Sequence, residues 1–584
     1  MNPDNENDMC LDDLSEHSSC SLGSDDSDDS DDSDDSDDSD ISDISDIVFQ
    51  RRLSEFLLHD NDSVTNNDSR DEIKSNTWSR TDEPITLEPF EGNSGIKIMP
   101  KCQERLADIV NLFIGEDFFE HTVRESNRYH YQVEKTHKRS SKTKKWTDIT
   151  VPEMKKFLGL IVLMGQVKKE LPHDYWSTDP TIETPIFPKV MSRNRFMQIL
   201  QSWHFCNNDN ITVNSSRLVK LQPVIDYFKT KFNEICKPGQ QLLLDECIIP
   251  WCGKLSFKTY NPTKIIKYGI LVRQVCEATT GYICNFEIYA GEGKMQEDTI
   301  LTIVKPYMNM WHHIYQDTYY NSVDLVQTLI KQKIRVCGII RVNKDLPKSL
   351  QSGILSNGQT KFLRNEDMLL QVWNNGERNV NIISTIHSAR LIDIVNKRTK
   401  EITQKPESIV DYDKYMRGVE RAYQYLTYYS IFRKTKNWTK RVVMFFINCA
   451  LFNSFKVYTE LNGKKKSYKK FLQEAATEWI TDYGISKQDL PNSQTTSIEE
   501  SQVPSTSTPT RRTPKADNPG RLSNFKLHKL IRIVSDGKSK MPQRQCRVCA
   551  SKKIRSRTCF ICKFCNVPLH KGDCTERYHT LIKY

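Results

Sequence analysis

Two groups of residues in this chain could do chemistry. The first lies near its end, where six of the 17 cysteines fall between Cys546 and Cys574. Cys546 and Cys549 form one Cys-x2-Cys pair, Cys562 and Cys565 another, and His570, Cys574 and His579 follow. Paired thiolates at this spacing turn tightly enough to reach one tetrahedral Zn2+, with imidazole as the companion ligand. Lys, Arg and Asp surround them, so they have no core to hide in as ordinary thiols. Eight such ligands would make a two-zinc cross-brace. Most of the other cysteines sit in apolar strings, as at Cys276, Cys284, Cys337 and Cys449, where a small buried hydrophobe is the better reading.

The second group is acidic. Asp245 ends an apolar run that begins at Leu242, and Asp317 ends another that begins at His312. An acid at a strand end commonly caps or turns. Carboxylates that converge can instead hold Mg2+, a hard cation that prefers oxygen. Two such ions neutralise the attacking and leaving oxygens of phosphoryl transfer.

The elements that must position these acids follow an ordered pattern. Strands are predicted over 242–245, 266–277 and 282–289, the last two joined by a turn from Thr279 to Gly281. A helix over 299–308, a strand over 312–317, a helix over 323–331 and a strand over 336–342 come next. A loop-rich stretch with short strands at 369–373 and 380–385 precedes a helix within 409–429. An acid ends the first strand and another ends the fourth, which is the layout of the RNase H-like fold. Upstream the pattern is helical. One helix starts near Asp108, one after Thr150 (with Pro152 and Glu153 in its first turn), and others span 193–205 and 221–235. A long apolar helix is predicted over 438–461. The basic loop 137–145 reads as a solvated connection, a nuclear-import signal or a phosphate contact.

The words around the acids are more specific. Asp245 to Lys254, Tyr260 to Lys264 and Lys267 to Gly269 resemble the signature of the piggyBac family of DNA transposases and their host-domesticated derivatives. Trp146, Tyr175 to Ser177, Arg195, His204, Asn321, Gly338, Arg341, Asn343, His387, Gly418, Arg433, Lys434 and Trp438 match it in the same order, over about residues 105–584. The resemblance implies a mixed α/β multidomain chain, with an RNase H-like catalytic core inserted in a split helical dimerisation and DNA-binding domain. The helical domain would occupy 96–239 and 431–486, the core 240–345 and 407–430, and an insertion domain 346–406. An acidic disordered tail would cover 1–95, a basic linker 487–540 and a zinc-binding domain 541–584. The family's first two catalytic acids carry over to Asp245 and Asp317. Its third stands as Glu420, and a further acid is replaced by Tyr423. Seven zinc positions match, and Cys559 is the candidate eighth ligand. The implied cofactors are Mg2+ at Asp245, Asp317 and Glu420, and structural Zn2+.

Charge agrees with a nucleic-acid partner. The first fifty residues hold 19 acids and no Lys or Arg, which leaves 83 basic against 56 acidic residues, a net +27, in the remainder. Basic neighbours of the cysteines (Lys552, Lys553, Arg555, Arg557, Lys563) favour DNA phosphates. The Ser-Asp-Asp repeat from Asp25 to Asp46 reads as a solvating tail, or as an acidic competitor for the basic body. No apolar run approaches the length of a membrane span, and the acidic N-terminus does not read as a secretory signal. The expected protein is intracellular and nuclear, a homodimer on double-stranded DNA. It would cut and paste at TTAA sites or be a derivative with impaired catalysis. The alternatives are a non-catalytic DNA-binding regulator and, ranked last, a zinc-dependent adaptor for other proteins.

Overall fold

Helices come first along the chain, as apolar residues at helical spacing require. The computed structural model describes residues 78–136, 146–481, 528–533 and 542–581, apart from 84, 213, 263, 265, 294, 343–345, 352, 354, 396–401, 433–434, 464–465 and 553 and the side chains of 135–136 and 417–421. The acidic repeat, the basic loop 137–145 and most of the 487–540 segment lie outside the described residues. The chain divides into two units, Met1–Asn492 and Ser493–Tyr584. The large unit opens with α1 (Leu106–Phe113), α2 (Glu116–Thr136), α3 (Val151–Gln166), α4 (Arg193–Ser202) and α5 (Gln222–Ile235). Thr150 caps α3, its hydroxyl accepting from the Glu153 N–H at 3.4 Å.

A mixed sheet follows. Its strands are β1 (Gln241–Pro250), β2 (Tyr268–Glu277), β3 (Ile283–Ile288), β4 (His312–Gln316), β5 (Ile334–Ile339), β6 (Thr360–Asn365), β7 (Met368–Asn374) and β8 (Asn379–Ser384). Their spatial order is β3-β2-β1-β4-β5-β8-β7-β6, and the short strand Thr259–Tyr260 also pairs with β2. β1 runs antiparallel to β2 and parallel to β4, and β4 is parallel to β5. Helices α6 (Gln296–Val304) and α7 (Val323–Lys331) make the crossovers, and α8 (Glu407–Tyr428) packs across β1, β2 and β4. β1 does not stop at Asp245 but continues to Pro250, because Cys247, Ile248 and Ile249 are apolar and buried.

Two further helices, α9 (Trp438–Asn462) and α10 (Tyr468–Thr481), return to the helical layer. α9 is long and apolar enough to cross a membrane by composition, contrary to the expectation that no segment is, but 89% of its apolar window is buried inside the protein. Its Phe446 stacks on Phe286 of β3 at 4.1 Å, and its Asn453 bonds both the N–H and the C=O of Ile283. α3 and α10 touch so closely that a side chain at Gly159 would meet the Ala476 carbonyl at 3.0 Å and Ile480 Cγ1 at 2.9 Å.

Two stretches outside the expected core pack onto it. Strands within residues 346–406 join the central sheet. β8 pairs with β5, and β7 and β6 extend the same sheet outward; only the hairpin β9 (Leu391–Val395) and β10 (Ile402–Pro406) stands apart. Residues 78–95 are not a disordered tail. Ser79 bridges to Arg364, Asp82 pairs with Arg364 at 2.7 Å, and Glu88 pairs with Arg335 at 2.5 Å. Both arginines are buried, and a buried guanidinium needs a carboxylate partner. The acids of this segment supply it.

The C-terminal unit is small. β11 (Leu530–Arg532), β12 (Phe560–Cys562) and β13 (Val567–Pro568) form an antiparallel sheet, and α11 (Asp573–Thr580) closes it. Its buried cluster is only Val548, Leu569, Tyr578 and three cysteines.

Candidate active site and metal centres

The parallel register of β1 and β4 sets Leu244 opposite Gln316. The next residue on each strand is an aspartate, so Asp245 and Asp317 emerge side by side, at about the 4.8 Å spacing of neighbouring strands. Asp317 caps the turn that follows, its Oδ1 accepting from the Thr318 N–H at 2.7 Å. Asn321 holds that turn in place. Its amide donates to the Ile339 carbonyl at 2.8 Å and to the Asp317 carbonyl at 3.2 Å, and its oxygen accepts from Gln316 at 2.7 Å. The clamp requires a glycine beside it. A Cβ at Gly338 would lie 2.4 Å from Asn321 Nδ2 and 2.5 Å from the Gln316 carbonyl.

Asp245 is buried and answered by Lys264, whose Nζ lies 2.8 Å from Oδ1, with the two side chains only 4% and 5% exposed. The adjacent Glu246 accepts a hydrogen bond from the Tyr320 hydroxyl at 2.9 Å. Burial raises its carboxyl above the ordinary value, opposed by Lys264 and Tyr320 and reinforced by Asp317 and Asp245. On α8, Tyr412 feels the same pair: burial first, then the charges of Asp317 and Asp245, push its phenol up. Glu420 stands eight residues further, a little over two helical turns, and its side chain lies outside the described residues. Tyr423 packs against the apolar core of the large unit. Asp245 and Asp317 therefore offer the oxygen donors that a hard divalent cation needs. Among the described residues no third carboxylate closes on them at ligand distance.

The cysteines assemble two quartets, each with all ligand atoms within 4.8 Å of one another. One is Cys546, Cys549, His570 and Cys574; the other is His528, Cys562, Cys565 and His579. In the first, Cys549 Sγ lies 3.8 Å from Cys574 Sγ and 3.5 Å from His570 Nδ1. In the second, Cys565 Sγ lies 3.3 Å from His528 Nδ1 and 3.5 Å from His579 Nε2. Sulfur and nitrogen ligands at about 2.3 and 2.0 Å from a tetrahedral Zn2+ stand about this far apart, so both quartets fit that ion. Second partners orient the rings: His570 Nε2 is 3.2 Å from Ser556 Oγ, and His579 Nδ1 is 2.8 Å from the Thr575 carbonyl. Burial, then the Cys546 thiolate, push Cys574 up to about 12.

Cys559 joins neither quartet. Its backbone carbonyl accepts from the Ile533 N–H at 2.9 Å, which ties the strand segment carrying His528 alongside and leaves His528 as the eighth donor. The expected linker 487–540 therefore contains a ligand and the strand β11. Sequence reasoning missed His528, a lone histidine among lysines. Lys264, Asn321 and Gly338 are family words in the sequence, and in the structure the first pairs with one acid and the other two position the second.

Residues 107–455 match a family model described as Transposase IS4. PiggyBac transposable element-derived protein 3 of Homo sapiens is 23% identical over 543 residues, spanning 86% of this chain and 81% of that protein. PiggyBac transposable element-derived protein 2 of Homo sapiens is 23% identical over 374 residues, spanning 60% and 61%. Among solved structures, the chain is similar to a piggyBac transposase in a synaptic complex with hairpin DNA, with a TM-score of 0.58 and 21% identity over 80% of this chain and 95% of that one.

Proposed function

Because this chain belongs to the piggyBac transposase family, we propose that it is a DNA-binding protein of transposase descent in which metal-dependent strand cleavage is impaired. The observation that carries this reading is Tyr423: the position of the family's fourth acid holds an aromatic ring packed in the core. The Asp245–Lys264 pair, 2.8 Å apart, is built from residues of the family signature. The strand order β3-β2-β1-β4-β5, with α8 crossing it, supports an RNase H-like core, flanked by helices on both sides in sequence. A divalent cation such as Mg2+, held by Asp245, Asp317 and Glu420, would neutralise charge on the transferring phosphate. Glu420 places its carboxylate a methylene further out than aspartate, and a shift of about 1 Å costs ~10²-fold in rate.

DNA is the partner that the charge supports. The net +27 body releases counterions from phosphates, so binding should fall steeply with salt. The two zinc quartets rigidify a unit bearing exposed Lys552, Arg555 and Lys563. Joining two DNA ends needs two active sites, which favours a homodimer, and a DNA substrate favours a nuclear location.

One observation favours the active reading: Asp245 and Asp317 still stand abreast. A plasmid excision assay with terminal repeats from the source genome decides. The expected outcome is DNA binding with excision at TTAA at least ~10²-fold below that of the Glu420→Asp, Tyr423→Asp double variant. Efficient excision by the unaltered chain, abolished in Asp245→Ala, overturns the impairment.

A further inference from the structure

The short strand Thr259–Tyr260 carries half of an aromatic pair that the acid site does not use. Tyr260 stands opposite Tyr268, the first residue of β2, in antiparallel register. Their rings lie 4.5 Å apart, tilted by 33°. A cross-strand aromatic pair can do no more than pin a hairpin. Here, however, each tyrosine is 55% exposed, and the charge around the pair has one sign. Lys254, Lys258 and Lys267 are exposed, the Lys258 ammonium lies 6.0 Å from the Tyr268 ring, and no Asp or Glu occurs between Trp251 and Tyr268. The base of this patch is fixed. Phe257 is buried edge-on against Trp438 of α9 at 5.3 Å. Gly269 lies so close to β1 that a Cβ there would stand 2.0 Å from the Ile249 carbonyl oxygen. The Asn261 N–H donates to the Lys267 carbonyl at 2.9 Å, closing the loop between the tyrosines, and the same loop sends Lys264 back to Asp245. Pro250, five residues beyond Asp245 on β1, pairs with Gly269. The tyrosines therefore stand roughly 17 Å along the sheet from the first acid, at the ~3.4 Å rise of a strand.

We propose that Tyr260 and Tyr268 form a stacking platform for an unpaired base of the DNA strand bound at Asp245 and Asp317, with Lys254, Lys258 and Lys267 holding the phosphates on either side of it. A nucleic-acid strand alternates flat rings with negative charge, and this patch interleaves exposed rings with positive charge. An acidic peptide would answer the lysines and leave the rings unused, and an apolar partner would do the reverse. In a duplex the base faces are covered by one another, so open tyrosine rings select an unpaired base. The inference deepens the DNA-binding reading above and rests on it.

The full chain is titrated with a blunt duplex, the same duplex with a thymidine extension on one strand, and the same duplex with an abasic extension. Both extensions carry phosphates, and only the first carries base faces. The thymidine extension should bind about tenfold tighter than the abasic one, the scale of one stacked base. Tyr260→Ala with Tyr268→Ala should bring that ratio to about one, whereas Tyr260→Phe with Tyr268→Phe keeps the rings and should keep it near ten. Lys258→Gln should weaken both extensions alike and flatten the salt dependence, as loss of a phosphate contact does. A ratio of one in the unaltered chain, or a tenfold ratio that survives the double alanine variant, overturns the platform and leaves DNA binding standing. Failure to bind any of the three DNAs overturns the DNA reading and the platform with it.

Discussion

The two metal-competent regions solve the problem of gathering charged donors in opposite ways. In the C-terminal unit, one quartet comes wholly from residues 546–574, and His528 and His579 reach in from either side of Cys562 and Cys565 to complete the other. The apolar cluster around these donors is tiny, and each quartet could hold a metal ion. In the sheet, Asp245 and Asp317 are brought together by strand register, and the chain supplies its own cation in Lys264. A unit whose quartets hold Zn2+, as proposed, and a site whose buried acid pairs with a lysine should respond differently to the same treatments.

Chelation separates them most sharply. Structural Zn2+ in small domains contributes on the order of 10 kcal/mol of folding free energy at neutral pH. A strong zinc chelator should make residues 528–581 cleavable by protease within minutes while the large unit keeps its thermal midpoint. Metal analysis sharpens the ligand assignment: about two zinc per chain in the unaltered protein and in Cys559→Ser, and about one in His528→Ala. Loss of zinc in Cys559→Ser would return that residue to the ligand set.

The converse test removes the internal cation. Lys264→Met leaves Asp245 charged and buried, which costs roughly 3–5 kcal/mol. Millimolar Mg2+ should restore part of the thermal midpoint in Lys264→Met and change little in the unaltered chain. A midpoint unmoved by the substitution would break the comparison, because Asp245 would then be compensated from elsewhere.

What was legible in the sequence follows the same division. Asp245 and Asp317 could be read because apolar runs lead into them and family words surround them. The Cys-x2-Cys pairs could be read because local spacing alone makes a chelate. His528 could not, because a ligand contributed across a long loop leaves no local pattern. The sheet extension by β6–β8 was hidden for a related reason: pairing of β8 with β5 is a long-range choice that strand propensity does not encode. Residues 78–95 looked like tail because their acids are common in solvated segments, whereas Asp82 and Glu88 are the partners of buried Arg364 and Arg335. The clamp at Asn321 is visible only once Gly338 is seen to leave it room. Gly338→Ala should cost the large unit about 2–3 kcal/mol by overpacking and move the Asp317 turn, read as a lower urea midpoint and an altered backbone amide signal at Thr318.

The smallest expected effect concerns protons and belongs to the large unit alone. His204 stacks on Tyr129 at 4.2 Å and lies 3.0 Å from the Asn208 amide oxygen, and burial, with Lys220 and Lys440 nearby, holds it down at about 4. His313, buried beside Arg335, His387 and His312 with Asp411 opposing, is also held at about 4. Both folded values lie below the unfolded value near 6.5, so the unfolded chain binds the extra protons as pH falls. Stability is therefore intact above about pH 6.5 and lost progressively down to about 4, by roughly 2 kcal/mol per histidine between pH 7 and 5. Urea midpoints of the large unit measured across that interval should fall accordingly, and His204→Gln should remove about half of the slope. An equal slope in His204→Gln would mean that the acid sensitivity lies with other groups, since a neutral amide cannot take the proton that the imidazole refuses in the folded state.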